Sequence, residues 1–137
     1  MVGNEQYLLD TNVIIEVLRN NDEMIRKIES IGINNCYISE ITIAELIYGA
    51  VRSRNPKNFN DVERIEQKFE VLPLRPAFRK YAETRDALRH KGTPIDHLDL
   101  FVASVAMFNN LVLVSHNTKH FERISDLQLT DWQSQHR

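Results

Sequence analysis

The sequence has little cysteine, glycine and proline, and it has no long apolar run. A single cysteine, Cys36, among 137 residues excludes an intramolecular disulfide and a zinc site built from several cysteines. Only four glycines and four prolines interrupt the chain, so we expect most of it to form helices and strands. The longest uncharged stretch, from 100 to 118, contains three asparagines and a histidine. It is too polar to span a membrane.

The chain also lacks an excess of charge of either sign. Its 17 Lys and Arg stand against 19 Asp and Glu, a net charge of −2, which excludes a polybasic nucleic-acid coat and an acidic tail protein. The first residues show no secretory signal, and the one cysteine is typical of a reducing compartment, so we expect a cytoplasmic protein. With 42% hydrophobic and 26% charged residues, residues 1–137 should form one soluble domain.

Short runs of apolar, β-prone residues alternate with segments of helical periodicity. The predicted strands are Tyr7–Leu9, Cys36–Ile38, Val71–Leu74, Leu111–Val114 and Leu127–Leu129. This alternation predicts an α/β fold with a mainly parallel sheet of four to five strands flanked by helices. Because ligands bind beyond the carboxyl ends of parallel strands, the polar residues at those ends are the candidates for a site.

Several polar residues follow the predicted strands or begin the neighbouring helices. They are Asp10, Ser39, Glu40, Glu45, Asp96, Asp99, Ser115, His116 and Asn117. Three or four carboxylates could therefore meet at one edge of the sheet, with Asn117 beside them.

Each carboxylate also has a purely structural interpretation. Asp10 could cap the helix that follows it. Thr42 and Glu45 have the spacing of a capping box, in which the glutamate reaches back to the cap residue. Asp96 suits an N-cap, which would place Asp99 at the third helical position, where the helix dipole favours an acid. Local sequence leaves both interpretations open.

Asp99 argues most strongly for a site. It lies in a helix, 98–108, that is apolar on nearly every side and should be buried. A buried carboxylate is costly unless it is paired or binds a metal ion, and residues 93–118 contain no Lys or Arg. Carboxylates without cysteine suit Mg²⁺ or Mn²⁺. Such an ion could serve phosphodiester hydrolysis or be structural.

Two other groups of residues are weaker candidates. Arg79, Arg85 and Arg89 belong to a basic stretch, 75–91, that is either a solvated helix face or the rim of an RNA site. His97, His116 and His120 could suggest zinc, but no clear set of ligands emerges, and we interpret them as surface or loop histidines.

Four segments carry a resemblance to a known family. They are Tyr-Leu-Leu-Asp-Thr-Asn-Val-Ile-Ile at 7–15, Ile-Ser-Glu-Ile-Thr-Ile-Ala-Glu-Leu-Ile-Tyr-Gly at 38–49, Pro-Ile-Asp-His-Leu-Asp-Leu-Phe-Val-Ala-Ser-Val-Ala at 94–106 and Leu-Val-Ser-His-Asn-Thr-Lys-His-Phe at 113–121. Together, and in this order, they resemble the PIN domain, most closely the VapC-type toxin ribonucleases of bacterial toxin–antitoxin systems. Asn117 departs from the family, which often has a fourth aspartate there, and Ser115 stands where threonine is frequent.

The resemblance implies a PIN-like three-layer sandwich with Asp10, Glu45 and Asp99 as catalytic and metal-binding residues. Asp96 is a candidate additional ligand, and Thr11, Ser115 and Asn117 are auxiliary. The resemblance further implies an endoribonuclease that uses Mg²⁺, with Mn²⁺ as a substitute. This enzyme would cut tRNA, rRNA or mRNA as the toxin of a type II toxin–antitoxin pair. The implied partners are a VapB-like antitoxin, the RNA substrate and a second copy in a homodimer. Because residue 117 is an asparagine where the family often has an aspartate, there is an alternative, a catalytically weak PIN-fold module that binds RNA or protein.

Overall fold

The computed structural model of the chain describes residues 5–133, which contain five strands and seven helices. The strands are β1 Tyr7–Leu9, β2 Cys36–Ser39, β3 Glu70–Leu72, β4 Val112–Val114 and β5 Leu129–Thr130. The helices are α1 Thr11–Leu18, α2 Asp22–Ile31, α3 Glu40–Ser53, α4 Lys57–Lys68, α5 Phe78–Lys91, α6 His97–Phe108 and α7 Thr118–Phe121. Short 3-10 turns occupy Ile33–Asn35 and Arg75–Ala77.

The five strands form one parallel sheet in the order β3-β2-β1-β4-β5. In the centre of the sheet, Leu8 of β1 lies beside Leu113 of β4, and Leu9 lies beside Val114. The prediction of a mainly parallel sheet of four to five strands is confirmed.

Alternate strand residues point into two separate cores. Leu9 and Val114 are fully buried in the core that also takes residues from α1, α2, α3 and α4. Their neighbours Leu8 and Leu113 are equally buried in the other core, with residues from α5, α6 and α7. Because successive residues of a strand face opposite sides, the sheet is covered on both faces. The predicted three-layer sandwich is confirmed.

The ends of some elements differ from the prediction. The last strand begins at Leu129 instead of at Leu127, because the backbone N–H of Leu127 donates to Ile124 in a turn and pairing with β4 starts only beyond it. β3 is an edge strand that ends just before Pro73, as a proline requires. None of the helices among residues 5–133 is long and apolar enough to cross a bilayer.

Candidate active site

The candidate site lies where the strand order reverses, between the carboxyl ends of β1 and β4. From this point the chain builds the sheet outward in both directions. In open parallel sheets, the crevice that takes a ligand lies beyond two such strand ends. Asp10 follows β1 directly and Ser115 follows β4. The backbone N–H of Asp10 donates to the carbonyl of Val114 over 2.9 Å, which fixes the two strand ends side by side.

Asp10 is a buried carboxylate, only 5% exposed, that is held by two donors. Its Oδ1 accepts from the backbone N–H of Thr11 at the start of α1, over 2.8 Å. Its Oδ2 accepts from the hydroxyl of Ser115, also over 2.8 Å. Burial raises the pKa of Asp10, and Asp99 raises it further, against the lowering effect of these hydrogen bonds and of His116. The capping role of Asp10 is therefore confirmed, but capping alone does not explain the second, buried oxygen.

Ser115 connects the end of β4 with the carboxylate of Asp10. Its hydroxyl donates to Asp10 and accepts from the backbone N–H of Asn117 over 3.0 Å. The side-chain amide of Asn12 approaches the same oxygen at 3.5 Å. A hydroxyl has one proton and two acceptor lone pairs, so these three contacts use its full capacity. They fix its direction.

Glu45 enters the site from the second turn of α3. The helix begins at Glu40, and its cap is Ser39, whose side chain accepts from the backbone N–H of Thr42 over 3.4 Å. The capping box of Thr42 and Glu45 is therefore wrong: the helix starts three residues earlier than that box requires. The carboxylate of Glu45 instead accepts from the hydroxyl of Thr11 on α1.

Thr11 ties α1 to α3 at the site. Its hydroxyl lies 3.1 Å from the hydroxyl of Thr42 as well as against Glu45. Because the proton of Thr11 is given to the carboxylate, the hydroxyl of Thr42 is the donor in the second contact.

Asp96 and Asp99 lie at the beginning of α6. Asp96 is exposed and caps the helix, accepting from the backbone N–H groups of Leu98 at 3.0 Å and Asp99 at 3.4 Å. Asp99 is the third helical residue and is partly buried, and its Oδ2 lies 3.4 Å from Nδ1 of His120 on α7. Burial, Asp96 and Glu45 raise the pKa of Asp99, and His120 lowers it. The predicted cap at Asp96 is confirmed.

Residues 115–117 form the loop between β4 and α7. Asn117 is exposed, and its backbone, rather than its side chain, bonds to Ser115. His116, interpreted as a surface or loop histidine, lies in the loop between β4 and α7. Its side chain is only 14% exposed, and its Nδ1 lies 3.0 Å from the carboxylate of Asp131. The Nε2 atom of His116 is buried without a hydrogen-bond partner in the described part of the chain.

Sequence reasoning missed the contact between His116 and Asp131. Both residues follow the ends of adjacent parallel strands, β4 and β5, so the rule that gathers strand ends at one edge could have found it. The three histidines considered for zinc each bond a different residue: His97 bonds Tyr81, His116 bonds Asp131 and His120 bonds Asp99. The described residues therefore do not form that zinc arrangement.

The donor set has the chemistry of a site for a hard cation. Within residues 5–133, no Lys or Arg lies within 4.0 Å of the carboxylates of Asp10, Glu45, Asp96 or Asp99. The negative charges affect one another: Asp99 raises the pKa of Asp10, and Glu45 raises that of Asp99. Neighbouring carboxylates without a Lys or Arg partner are what a divalent cation neutralises.

The carboxylates nevertheless stand apart from one another. In the range 5–133, no three His, Cys, Asp or Glu side chains are close enough together to hold a metal ion. Glu45 bonds the hydroxyl of Thr11, and Asp99 lies against His120. The donors fit a hard cation in their chemistry, and side-chain rotation would have to complete their convergence.

The three arginines proposed to contact RNA lie on α5 and are exposed. Arg79 pairs with Glu83 at 3.2 Å, and Arg89 pairs with Asp86 at 3.1 Å. Arg85 instead donates to the hydroxyl of Tyr81. The three arginines are therefore not equivalent.

Comparison with known proteins gives a consistent result along most of the chain. The family described as PIN domain matches residues 7–127. The chain is 37% identical over 130 residues to ribonuclease VapC1 of Haemophilus influenzae (strain R2866), which covers 92% of this chain and 97% of the relative. It is 36% identical over 129 residues to the tRNA(fMet)-specific endonuclease VapC of Salmonella typhimurium (strain LT2), which covers 93% and 98%.

Solved structures show the same similarity in three dimensions. A chain of the DNA-bound VapBC complex of Salmonella typhimurium superposes with a TM-score of 0.86 at 36% identity, covering 93% of this chain and 98% of that one. A chain of VapBC-1 from nontypeable Haemophilus influenzae superposes with a TM-score of 0.82 at 38% identity, covering 92% and 97%.

Proposed function

The chain belongs to the PIN-domain family as an endoribonuclease of the VapC type, the toxin of a toxin–antitoxin pair, and from this premise we propose that it hydrolyses RNA with a divalent cation held by Asp10, Glu45 and Asp99. The observation that carries the proposal is the set of carboxylates at the reversal of strand order. Burial and their charges raise the pKa values of Asp10 and Asp99, and no Lys or Arg lies against them in the described chain. The residues in the strand-end crevice are positioned to meet a ligand.

We propose Mg²⁺ as the cation, with Mn²⁺ as a substitute, because oxygen donors suit hard ions. Asp96 is exposed beside Asp99 and is the candidate for an additional ligand. When bound, such a cation neutralises the carboxylates, lowers the pKa of bound water and stabilises charge on the phosphate.

The protein's own contribution is to hold the carboxylates in place. Asp10 is fixed by the backbone of Thr11 and by the hydroxyl of Ser115. Glu45 is fixed by the hydroxyl of Thr11, and Asp99 lies against His120. Residues around a metal ligand change metal affinity or activity by about 10–100-fold when they are lost. We therefore assign Thr11 and Ser115 as positioning residues.

Asn117 is assigned a different auxiliary role. Its side chain is exposed at the beginning of α7, next to Ser115. An amide adds no negative charge and can both donate and accept a hydrogen bond. This supports a role in orienting water or phosphate in place of binding the cation.

The comparisons also support a partner. The similar solved chains are parts of VapBC complexes, so we propose a cognate VapB-like antitoxin. The substrate we propose is a tRNA, rRNA or mRNA cut in the cytoplasm, and the tRNA(fMet)-specific name of one relative makes initiator tRNA the first RNA to try. A homodimer stays a prediction, to be checked by light scattering on the purified chain.

The test is cleavage of total cellular RNA by the chain freed of antitoxin, with Mg²⁺, with Mn²⁺ and with EDTA. Asp10→Asn and Asp99→Asn should each reduce metal-dependent cleavage by more than about 100-fold, above the usual loss for a residue that only supports a ligand. Asparagine still caps a helix well, so Asp10→Asn should stay folded, as circular dichroism would show.

The matched control is Asp86→Asn on α5, an exposed carboxylate that is paired with Arg89. It should cleave like the wild type. Full activity of Asp10→Asn, or cleavage that EDTA does not affect, would overturn the proposed site.

A further inference from the structure

Arg85 has a different environment from the other two arginines of α5. Among residues 5–133, no carboxylate lies within 4.0 Å of its guanidinium, whereas Arg79 and Arg89 each have one. Its NH1 donates to the hydroxyl of Tyr81 over 3.3 Å. A guanidinium has five N–H donors, so this neutral bond leaves its charge and most of its donors for a ligand.

The hydroxyl of Tyr81 also reaches the beginning of α6. It lies 3.0 Å from Nδ1 of His97. Because Arg85 can only donate, Tyr81 accepts from it and has its own proton left for Nδ1 of His97. When Tyr81 donates to Nδ1 of His97, the ring proton of His97 is on Nε2. This order of donors leaves a second N–H group directed away from Tyr81.

The ring of Tyr81 packs against an aromatic residue of α6. Its ring stacks on Phe101 of α6 with centroids 4.0 Å apart and planes within 5°. Phe78 packs against the ring of Phe101 in a tilted arrangement, with the ring centroids 6.2 Å apart. Stacked aromatic rings restrict the tyrosine to one orientation. Tyr81 therefore sets the position of Arg85 relative to His97.

His97 brings this group to the edge of the acidic site. It is the first residue of α6, directly after the cap Asp96 and two residues before Asp99. An acidic site repels the phosphates of RNA, so basic groups next to it have to hold the backbone. Arg85 and His97 are a pair of donors in that position.

We propose that Arg85 and His97, held together by the hydroxyl of Tyr81, bind a backbone phosphate of the nucleotide next to the bond that is cut. This inference rests on the proposed function and deepens it. The guanidinium supplies charge and a fork of donors for a phosphate. His97 supplies the N–H group at Nε2, and Tyr81 is a positioning residue that does not itself touch the RNA.

The test measures binding instead of cleavage. A fluorescein-labelled, single-stranded RNA oligonucleotide of mixed sequence is titrated with the full chain in EDTA, and the Kd is followed by anisotropy between about 50 and 200 mM salt. Arg85→Gln should raise the Kd by about 10-fold. It should also lower the slope of log affinity against log salt by about 0.7, the value for one phosphate contact on a single strand.

Tyr81→Phe keeps the ring that stacks on Phe101 and removes only the hydroxyl. It should raise the Kd severalfold and leave the salt slope unchanged, because the charge of Arg85 is still present. The effects of Tyr81→Phe and Arg85→Gln should be less than multiplicative in the double variant, since Tyr81 acts through Arg85. His97→Gln should also weaken binding.

Arg79→Gln is the matched control, because this arginine is on the same helix but already pairs with Glu83. It should change the Kd by much less than Arg85→Gln. Equal affinities of Arg85→Gln and Arg79→Gln, or an unchanged Kd for Tyr81→Phe, would overturn this inference and leave the metal site untouched. A failure of the Asp10→Asn test would overturn the metal site and leave the phosphate contact untouched.

Discussion

The acidic edge of the sheet and the exposed face of α5 both carry carboxylates, but they differ in whether an arginine pairs with each carboxylate. On α5, Glu83 and Asp86 each have an arginine one turn away, and all four side chains are exposed. At the sheet edge, Asp10 is buried and Asp99 partly buried, and no Lys or Arg in the described chain neutralises them. The carboxylates of α5 are neutralised by arginines of the same helix. The carboxylates at the sheet edge have hydrogen-bond donors but no Lys or Arg, and they are the groups that the proposed cation would neutralise.

The largest expected difference between the two regions is the gain in stability when a cation binds the acidic edge. The pKa values of Asp10 and Asp99 are raised in the folded chain, so the folded state binds protons more tightly than the unfolded state. The metal-free protein should then lose stability as the pH rises from the ordinary carboxyl range through the raised pKa values. At about 100 times its Kd, Mg²⁺ should restore about 2.7 kcal/mol.

Thermal unfolding with and without Mg²⁺, at about pH 5 and about pH 8, checks this prediction. The lower pH favours protonation of carboxyl groups whose pKa values are raised, and the higher pH favours their ionisation. The metal-induced increase in Tm should be larger at the higher pH. It should disappear in the Asp10→Asn/Asp99→Asn double variant and persist in Asp86→Asn. An increase of equal size in all of these proteins would place the cation elsewhere.

Ser115→Ala tests the support of the acidic edge. The change removes one of the two donors to Asp10 and the acceptor of the Asn117 N–H. We expect a loss of about 2 kcal/mol in the free energy of unfolding, because buried polar groups lose their partners. Cleavage should fall by about 10–100-fold.

Ser104→Ala is the matched control in chemical denaturation and in the cleavage assay. Ser104 is just as buried, but its hydroxyl only donates to the carbonyl of Leu100 within α6. Its loss should cost less stability and leave cleavage unchanged. If both alanine variants behaved alike, Ser115 would be a packing residue only.

The smallest effect is expected on α5. Glu83→Gln removes the partner of Arg79 in an exposed pair. Pairs of this kind contribute about 0.3–0.5 kcal/mol, so denaturant unfolding should barely change. Cleavage should stay at the wild-type level, and a large drop would mean that α5 carboxylates belong to the site after all.

Much of the fold could be predicted because the local signals agree with one another. Tyr7–Leu9 and the apolar run Leu111–Val114 are both predicted to be strands, and they contain the two paired strands at the centre of the sheet. The apolar character of the helix around Asp99 identified this carboxylate as unusual, and its raised pKa is the physical counterpart. These features depend on residues near in sequence.

The remaining features do not follow from sequence spacing alone. The capping box of Thr42 and Glu45 matched a pattern of spacing, but Ser39, three residues earlier, starts the helix. No local pattern indicates that Thr11 bonds Glu45, since these residues meet only when α1 packs beside α3. The pairing of Arg79 and Arg89 but not Arg85 involves residues one helical turn apart, and it depends on which rotamers bring a carboxylate close.

The hydrogen bond between Ser115 and Asp10 joins residues 105 positions apart in the chain. During synthesis the first acidic residue leaves the ribosome early, but its partner strand β4 follows only after α6 has been made. A nascent chain lacking β4 has no strand-end crevice, because the neighbour that completes it does not yet exist. A ribosome that makes this nuclease therefore carries an unassembled site until most of the sequence has been translated, and fragments that stop before β4 should be harmless to the RNA around them.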